Sequence, residues 1–161
     1  MKIAILDDYQ NVALSLADWD SLDAHTDVFN RPFANEEATV AALADYDVVV
    51  AMRERTPFPS STLGQLPQVR LLVTTAPVNA AIDLHAAREL GITVCGTGYF
   101  SHPTVELTWG LILSAARLIP QQVASVRSGG WQVGLGTSLS GATLGILGLG
   151  RLGTRARPRR S

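Results

Sequence analysis

The sequence has little cysteine: Cys95 is the only one, so no disulfide can form within the chain. Proteins without disulfides are typical of a reducing cytosol, and we therefore expect a cytoplasmic location. Because Cys95 lies in the apolar stretch GITVCG, we expect its thiol to be buried and unreactive. No cluster resembles a metal site or an activated serine, so no metal is expected.

Long apolar runs are also missing. The best candidate for a membrane span is residues 107–116, which lie between Glu106 and Arg117 and fall far short of the roughly 20 residues required. The apolar run after Lys2 stops at Asp7, so no export signal is predicted. We expect no membrane partner.

Lysine is nearly absent, with one lysine against twelve arginines. Residues 1–150 hold eight basic and 14 acidic side chains, a net charge of −6, whereas the last eleven residues carry +5. An arginine-rich end can bind nucleic acid, but this one has no aromatic neighbours and no basic patch before it, so we expect no nucleic-acid partner. With 47% hydrophobic and 17% charged residues, the composition predicts a packed core.

Short apolar segments alternate with helical patterns along the first hundred residues. Strands are predicted at 2–6, 26–30, 47–51, 70–75 and 92–95, and helices near 12–17, 36–44, 60–66 and 83–90. The strands are continuously apolar, as in a parallel sheet covered on both faces. The predicted class is α/β, a flavodoxin-like or Rossmann-like parallel sheet with helices on both faces.

A long helix is predicted over 104–119, after Ser101 as a cap and Pro103 in the first turn. It is apolar on two faces, so we expect it to be buried between layers, domains or subunits. Pro120 should kink or end it. Left uncovered, these faces should make the chain self-associate or aggregate.

A glycine motif stands near the end of the sequence. Gly148, Gly150 and Gly153, with Arg151 and Leu152 between them, form G-x-G-x-x-G after a predicted strand at 143–147. In such a motif the first glycine makes the turn, the second admits a pyrophosphate and the third lets helix and strand pack closely. We predict a cofactor-binding loop, against the alternative of a glycine-rich turn without a ligand.

The residues after Gly153 do not continue that pattern. An acid that binds ribose is expected about 20 residues further on, but only eight residues follow, and Pro158 forbids a longer helix. The excess of arginine over lysine suggests that the gene is GC-rich. When GC-rich DNA is translated in a wrong reading frame, it tends to encode Arg, Pro, Ala and Ser, and the segment RARPRRS consists of these residues. We expect residues 154–161 to be a frameshifted tail on a truncated, inactive enzyme that does not bind NADH saturably.

In order, the segments LVTTAPVNAAIDLHAARELGITVCGTG, PTVELTWGLILSAAR, SGGWQ and GATLGILGLGRLG resemble the D-isomer-specific 2-hydroxyacid dehydrogenase family. The resemblance implies a substrate domain over 1–100 and the start of an NAD(P)-binding Rossmann domain over 101–153. It implies hydride transfer between NAD or NADP and a 2-hydroxy or 2-oxo acid, and a homodimer for full-length members. It places Thr108 near the nicotinamide.

The same resemblance assigns substrate-carboxylate binding to backbone amides of a loop that matches 76–79. The family usually has glycine first, whereas this sequence reads Ala76, Pro77, Val78 and Asn79. Pro77 has no N–H and Ala76 disfavours positive φ, so the departure bears on carboxylate binding. The family's catalytic arginine, acid and histidine lie beyond the glycine motif, and no residue here is assigned a catalytic role.

The histidines are given no catalytic role. His25 is expected at the surface, His85 at the surface or in packing, and His102 in capping or packing at a helix entrance. Arg53 follows the third strand, at the sheet edge where ligands bind, so it is a candidate contact for an anionic substrate. A solvated, salt-bridged arginine is the alternative.

A non-catalytic α/β module, such as a receiver-like signalling domain, is the competing class. Asp7 and Asp8 end the first strand as an acidic pair would in a receiver. A receiver also needs an aspartate after the third strand and a lysine after the fifth, and this sequence has Arg53 and Gly96 there. Asp7 and Asp8 are therefore predicted to shape a turn.

Overall fold

The computed structural model describes residues 1–157. Within it the chain divides into two compact units, Met1–Tyr99 and a second from Phe100 onward. Each unit is described by itself below. Residues 158–161 of the expected frameshifted tail lie outside the described part.

The first unit is built on a five-stranded parallel sheet with the order β2-β1-β3-β4-β5. Its strands are β1 (Lys2–Ile5), β2 (His25–Val28), β3 (Val48–Ala51), β4 (Leu71–Thr74) and β5 (Thr93–Gly96). The register pairs Ile3 with Val48 and Leu71 with Thr93. This confirms the predicted α/β class with a parallel sheet.

The helices of this unit are α1 (Glu36–Leu43), α2 (Ser60–Leu63) and α3 (Leu84–Glu89). Side-chain caps start two of them: Asn35 accepts from Ala38 N–H and Asp83 accepts from Ala86 N–H, both at 2.9 Å. Gly91, with φ of 72°, follows the end of α3, as an αL residue often does after a helix.

The helix predicted near 12–17 is wrong, because this segment forms only the short 3₁₀ turns Ala13–Ser15 and Trp19–Ser21. The carboxylate of Asp8 accepts from the N–H of Ala13, the first residue of the first turn, at 2.7 Å. The indole N–H of Trp19 donates to the Ala13 carbonyl at 2.9 Å. Side chains thus bind the backbone N–H and carbonyl groups of Ala13, which would otherwise pair within a longer helix.

The core lies between the sheet and its helices, with residues such as Leu6, Leu43, Phe58 and Leu72 almost fully buried. Burial alternates between full and partial along β3 and β4, and β5 is mostly exposed at the sheet edge. The predicted burial of Cys95 is therefore wrong: its strand is apolar, but it is an edge strand, and Cys95 is exposed.

The second unit begins with α4 (His102–Ala116) and α5 (Ile119–Arg127). The chain turns between them at Leu118, whose φ is 54°, and Pro120 lies in the first turn of α5, where its missing N–H costs no hydrogen bond. The predicted single helix over 104–119 therefore ends at Ala116, and Pro120 helps to start a new helix.

Burial of the long helix is not found within this chain, since no residue of α4 is buried. Leu107 and Leu111 are each more than 60% exposed. After α5 the chain returns along that helix: Gln122 donates to the Gly134 carbonyl and accepts from Val133 N–H.

The strand predicted at 143–147 is also absent from the described structure. Its sequence is strand-like, but a strand needs a hydrogen-bonded neighbour, and in the described part of the second unit no segment pairs with it. The short helix α6 (Arg151–Ala156) follows the glycine motif. Its C-terminal neighbour, Arg157, is extended, as expected for a residue before proline.

Candidate functional site

In the first unit the candidate site lies at the carboxyl edge of the sheet, where the loops after β1, β3 and β4 meet. Ligands of parallel α/β sheets bind at this edge, because the loops there converge while the strands stay rigid. The loop after β3 carries Arg53, and the loop after β4 carries residues 76–79.

The loop 76–79 offers backbone donors. In the described part of the chain no residue accepts a hydrogen bond from the N–H groups of Val78 and Asn79. Ala76 is 7% exposed and lies outside the residues with positive φ, so its side chain is compatible with the backbone found here. Val78 is 79% exposed, and its N–H belongs to a loop open to solvent.

A glycine allows this loop to sit against β5. A Cβ on Gly96 would lie 2.7 Å from the Ala76 carbonyl oxygen and 2.8 Å from that of Pro77. Both atoms belong to the backbone, so a side chain there would have to displace the loop. A groove of about 290 Å³ adjoins this contact and is lined by Pro77, Val78 and Asn79 among others.

Arg53 has φ of 53°, a left-handed backbone that is uncommon for residues other than glycine. Its guanidinium carbon lies 5.9 Å from the centre of the Tyr99 ring, within cation–π range. The side-chain amide of Asn79 donates to its carbonyl oxygen at 2.6 Å. The structure thus places Arg53 beside the loop 76–79.

The loop after β3 is also tied to β1. The buried Asp7 carboxylate accepts from the Thr56 hydroxyl at 2.7 Å and from the Tyr9 hydroxyl at 3.0 Å. Arg55 donates to the Asp7 carbonyl at 2.7 Å, and its guanidinium carbon lies 4.4 Å from the centre of the Tyr9 ring. Desolvation raises the pKa of Tyr9 above its ordinary value, and the hydrogen bond to Asp7 acts in the same direction.

These contacts show what the acidic pair does. Asp7 turns inward to hold a neighbouring loop, and Asp8 holds the turn at Ala13. Asp7 and Asp8 are each 2% exposed. Among residues 1–157 no group of three or more histidine, cysteine or acidic side chains could hold a metal ion.

In the second unit the three glycines have three different geometries. Gly148 has φ of 87° and forms the turn. Gly150 precedes α6 and has open space where a Cβ would lie. A Cβ on Gly153 would collide with the Gly148 carbonyl oxygen, so only glycine permits this close approach.

Thr108 lies in the same groove as this loop. The groove has a volume of about 480 Å³ and is lined by Thr108, Gly148, Leu152 and Gly153 together with neighbouring apolar residues. The Thr108 hydroxyl donates to the Thr104 carbonyl at 2.7 Å, one turn earlier in α4. Arg151 is exposed and begins α6.

The histidines lie outside both groups of residues. His85 is 83% exposed and lies 3.5 Å from Glu89 on α3. His25 lies 3.2 Å from Asp27 on the edge strand β2, and His102 contacts Phe100 with ring centres 4.8 Å apart.

Reasoning from the sequence missed the side chains of Asn79, Tyr99, Tyr9 and Arg55. Asn79 lies inside the predicted loop, where the sequence predicts a role only for its backbone. No sequence signal identifies Tyr99 as a partner of Arg53, because the two are 46 positions apart and meet only once the sheet has formed.

The sheet order, the loops at its carboxyl edge and the glycine loop before a helix define an α/β protein of the Rossmann-like class. Among the described residues, 1–157, no helix is long and apolar enough to cross a membrane.

Comparisons with known proteins identify the family. The family model for the catalytic domain of D-isomer specific 2-hydroxyacid dehydrogenases matches residues 3–148. Glyoxylate reductase of Aeropyrum pernix is 41% identical over 103 residues, which is 58% of this chain and 31% of that protein. Human D-3-phosphoglycerate dehydrogenase is 34% identical over 134 residues, which is 81% of this chain and 25% of that protein.

Among solved structures, a phosphoglycerate oxidoreductase from Vibrio cholerae is similar with a TM-score of 0.87 and 39% identity. The match covers 97% of this chain and 51% of that one. The chain belongs to the D-isomer-specific 2-hydroxyacid dehydrogenase family. It spans about half of that solved structure and between a quarter and a third of the curated relatives named above.

Family membership decides between the two classes considered from the sequence. The receiver-like module is set aside. Asp8 holds a turn as predicted, whereas the Asp7 side chain holds the loop after β3.

Proposed function

We propose that this chain carries substrate-binding and cofactor-binding elements of an NAD(P)-dependent oxidoreductase that interconverts a 2-hydroxy acid and its 2-oxo acid. The proposal rests on the backbone N–H groups of the loop 76–79. The N–H groups of Ala76, Val78 and Asn79 have no acceptor among the described residues. Those of Val78 and Asn79 lie next to the loop that carries Arg53, at the carboxyl edge of the sheet. Family membership supports the same function.

On the substrate side, the N–H groups of Val78 and Asn79 would bind the carboxylate. Backbone donors suit this purpose because their direction is fixed by the loop and they need no reorganisation when an anion arrives. The Arg53 guanidinium would add positive charge next to the loop, and the aromatic face of Tyr99 would support it. Pro77 donates no N–H, so Val78 is the first donor after it.

On the cofactor side, the glycine loop fits a dinucleotide diphosphate. The turn at Gly148, the open space at Gly150 and the close contact of Gly153 correspond to the three needs of such a loop. We propose that Gly148, Gly150, Arg151, Leu152 and Gly153 hold the diphosphate. The nicotinamide of a bound NAD or NADP supplies the hydride acceptor or donor.

The two units correspond in this proposal to parts of two domains. Residues 1–100 would belong to the substrate domain and residues 101–153 to the nucleotide-binding domain, with Thr108 on the side of the nicotinamide. We further propose a cytoplasmic protein whose substrate is a small 2-hydroxy or 2-oxo acid. Self-association would occur through the apolar surface of the second unit, to which Leu107, Leu111 and Trp131 contribute.

Binding of oxalate to the 161-residue chain tests the substrate side. Oxalate is a stable analogue of the carboxylate and carbonyl end of a 2-oxo acid. In an NMR titration the amide signals of Val78 and Asn79 should shift saturably with oxalate and much less with acetate.

A pair of variants at one exposed position provides the control. Val78→Ala keeps the N–H and should bind oxalate like the unchanged chain, whereas Val78→Pro removes the donor and should bind about tenfold more weakly. Equal binding by both variants would contradict the proposed carboxylate site.

A further inference from the structure

We propose that the side chain of Asn79 is a positioning group, which fixes Arg53 relative to the carboxylate-binding loop. The inference rests on the proposed function and adds to it the side chain of Asn79, for which no sequence motif predicts a role. Its basis is the set of hydrogen bonds that the side chain of Asn79, a buried residue, makes to the loop after β3, to the end of β4 and to its own loop.

Every hydrogen of the Asn79 amide group is used. Its nitrogen donates to the Arg53 carbonyl at 2.6 Å and to the Thr74 hydroxyl at 3.0 Å. Its oxygen accepts from Ala81 N–H at 2.9 Å. The orientation of the amide is fixed, because the Arg53 carbonyl can only accept and the Ala81 N–H can only donate. The residue is 8% exposed, so water competes little for these bonds.

The hydrogen bond to Arg53 acts on a strained residue. Arg53 has φ of 53°, and a side chain in this region persists only when its surroundings hold it there. Asn79 is the group that holds the Arg53 carbonyl. Without this donor the carbonyl would lose its buried partner, and Arg53 could relax to negative φ and move its guanidinium away from Tyr99.

The same residue therefore serves both parts of the substrate site. Its backbone N–H belongs to the proposed carboxylate loop, and its side chain holds the residue that carries the nearby positive charge. The backbone N–H groups that would donate to the substrate carboxylate and the Arg53 guanidinium are thereby fixed relative to each other. This reduces the entropic cost of ordering them when an acid binds.

Two variants separate the contributions. Asn79→Asp keeps an oxygen that can accept from Ala81 N–H but has no N–H to donate to Arg53, and Asn79→Ala lacks both. Thr74→Val is the matched control, since it removes the other buried acceptor of the Asn79 amide and leaves the bond to Arg53 intact. If Asn79→Ala does not fold, Asn79→Asp carries the test.

Two NMR measurements on the full chain give the readout. The one-bond Cα–Hα coupling of Arg53 distinguishes positive from negative φ without any ligand. In the unchanged chain and in Thr74→Val, Arg53 should keep positive φ, and its Nε–Hε signal should shift on addition of oxalate. In both Asn79 variants φ should become negative, the Nε–Hε signal should no longer respond, and oxalate should bind about tenfold more weakly.

Persistence of positive φ and of the oxalate response in Asn79→Asp would overturn the inference. An unchanged chain in which oxalate moves no loop amide contradicts the proposed carboxylate site instead, and the coupling of Arg53 in the variants still decides the role of Asn79. A fall in stability shared by Asn79→Asp and Thr74→Val, with Arg53 unchanged in both, would show that Asn79 is only structural and would also overturn it.

Discussion

Replacing Gly96 by alanine should destabilise the first unit, although most glycine-to-alanine changes in ordinary backbone do the opposite. Gly96 lies outside the glycines with positive φ, so alanine is allowed there by its backbone. At such sites alanine typically stabilises by about 0.4–1 kcal/mol, because it restricts the unfolded chain. Here the added Cβ would lie 2.7 Å and 2.8 Å from the carbonyl oxygens of Ala76 and Pro77.

The size of the effect follows from these two contacts. Both oxygens belong to the backbone, so the loop 76–79 has to move, and overpacking of this kind costs about 1–3 kcal/mol. Subtracting the gain from the unfolded state at the middle of both ranges leaves a net loss of about 1.3 kcal/mol. With a urea dependence of about 1–3 kcal/mol per molar for a small domain, the midpoint should fall by roughly 1 M.

Urea unfolding followed through the amide signals of β4 measures this change in the first unit alone. Gly98→Ala is the control, because Gly98 is two residues away, has no positive φ and has nothing within 4 Å of an added Cβ. The control should be as stable as the unchanged chain or slightly more stable. A Gly96→Ala midpoint equal to that of Gly98→Ala would refute the packing of the loop against β5.

Three further predictions concern other parts of the molecule. Gly153→Ala should abolish the hydrogen-exchange protection of α6, because its Cβ would meet the backbone at Gly148, whereas Gly150→Ala, in open space, should preserve it. Leu111→Glu should shift the chain toward monomer in analytical ultracentrifugation, since Leu111 is 62% exposed on α4. Burial, and then the 2.8 Å hydrogen bond that the Tyr46 hydroxyl donates to Asp27, raises the pKa of Tyr46 to about 12. Because the folded state holds this proton more tightly than the unfolded state, the contribution of Tyr46 to the free energy of unfolding should be complete below about pH 10. It should be lost as the pH rises through about 12.

Each of these outcomes has a clear opposite. Equal protection in the two glycine variants would show that the close approach is not needed. An unchanged sedimentation pattern for Leu111→Glu would remove α4 from the association surface. For Tyr46, absorbance titration should show a phenol with a pKa of about 12 that disappears in Tyr46→Phe. If the transition lost in Tyr46→Phe lies near 10 instead, the burial of this phenol would be contradicted.

Apart from the helix predicted near 12–17, the order of strands and helices in the first unit could be predicted from the sequence, because apolar segments and capping residues are local signals. Cys95 shows the limit of this approach: GITVC reads as a buried strand, but burial depends on whether a neighbour covers the edge, and the sequence of β5 does not contain that information. The segment 143–147 shows the same limit, since a strand-like composition forms no strand without a partner.

The candidate site was predictable where it depends on backbone and was missed where it depends on side chains that are distant in sequence. The spacing of Gly148, Gly150 and Gly153 alone predicts the turn, the open position and the close contact that the structure has. The contacts of Asn79 and Tyr99 with Arg53 arise only because β3, β4 and β5 are neighbours in the sheet. Asp7 was expected to shape a turn, and its buried bond to Thr56 depends on a residue 49 positions away.

A crystal structure of the chain with oxalate tests the central claim most directly. It should show one carboxylate of oxalate within about 2.7–3.2 Å of the backbone nitrogens of Val78 and Asn79, with the Arg53 guanidinium alongside. Oxalate bound elsewhere, or held by arginine side chains without those two nitrogens, would contradict the assignment of loop 76–79 as the carboxylate site.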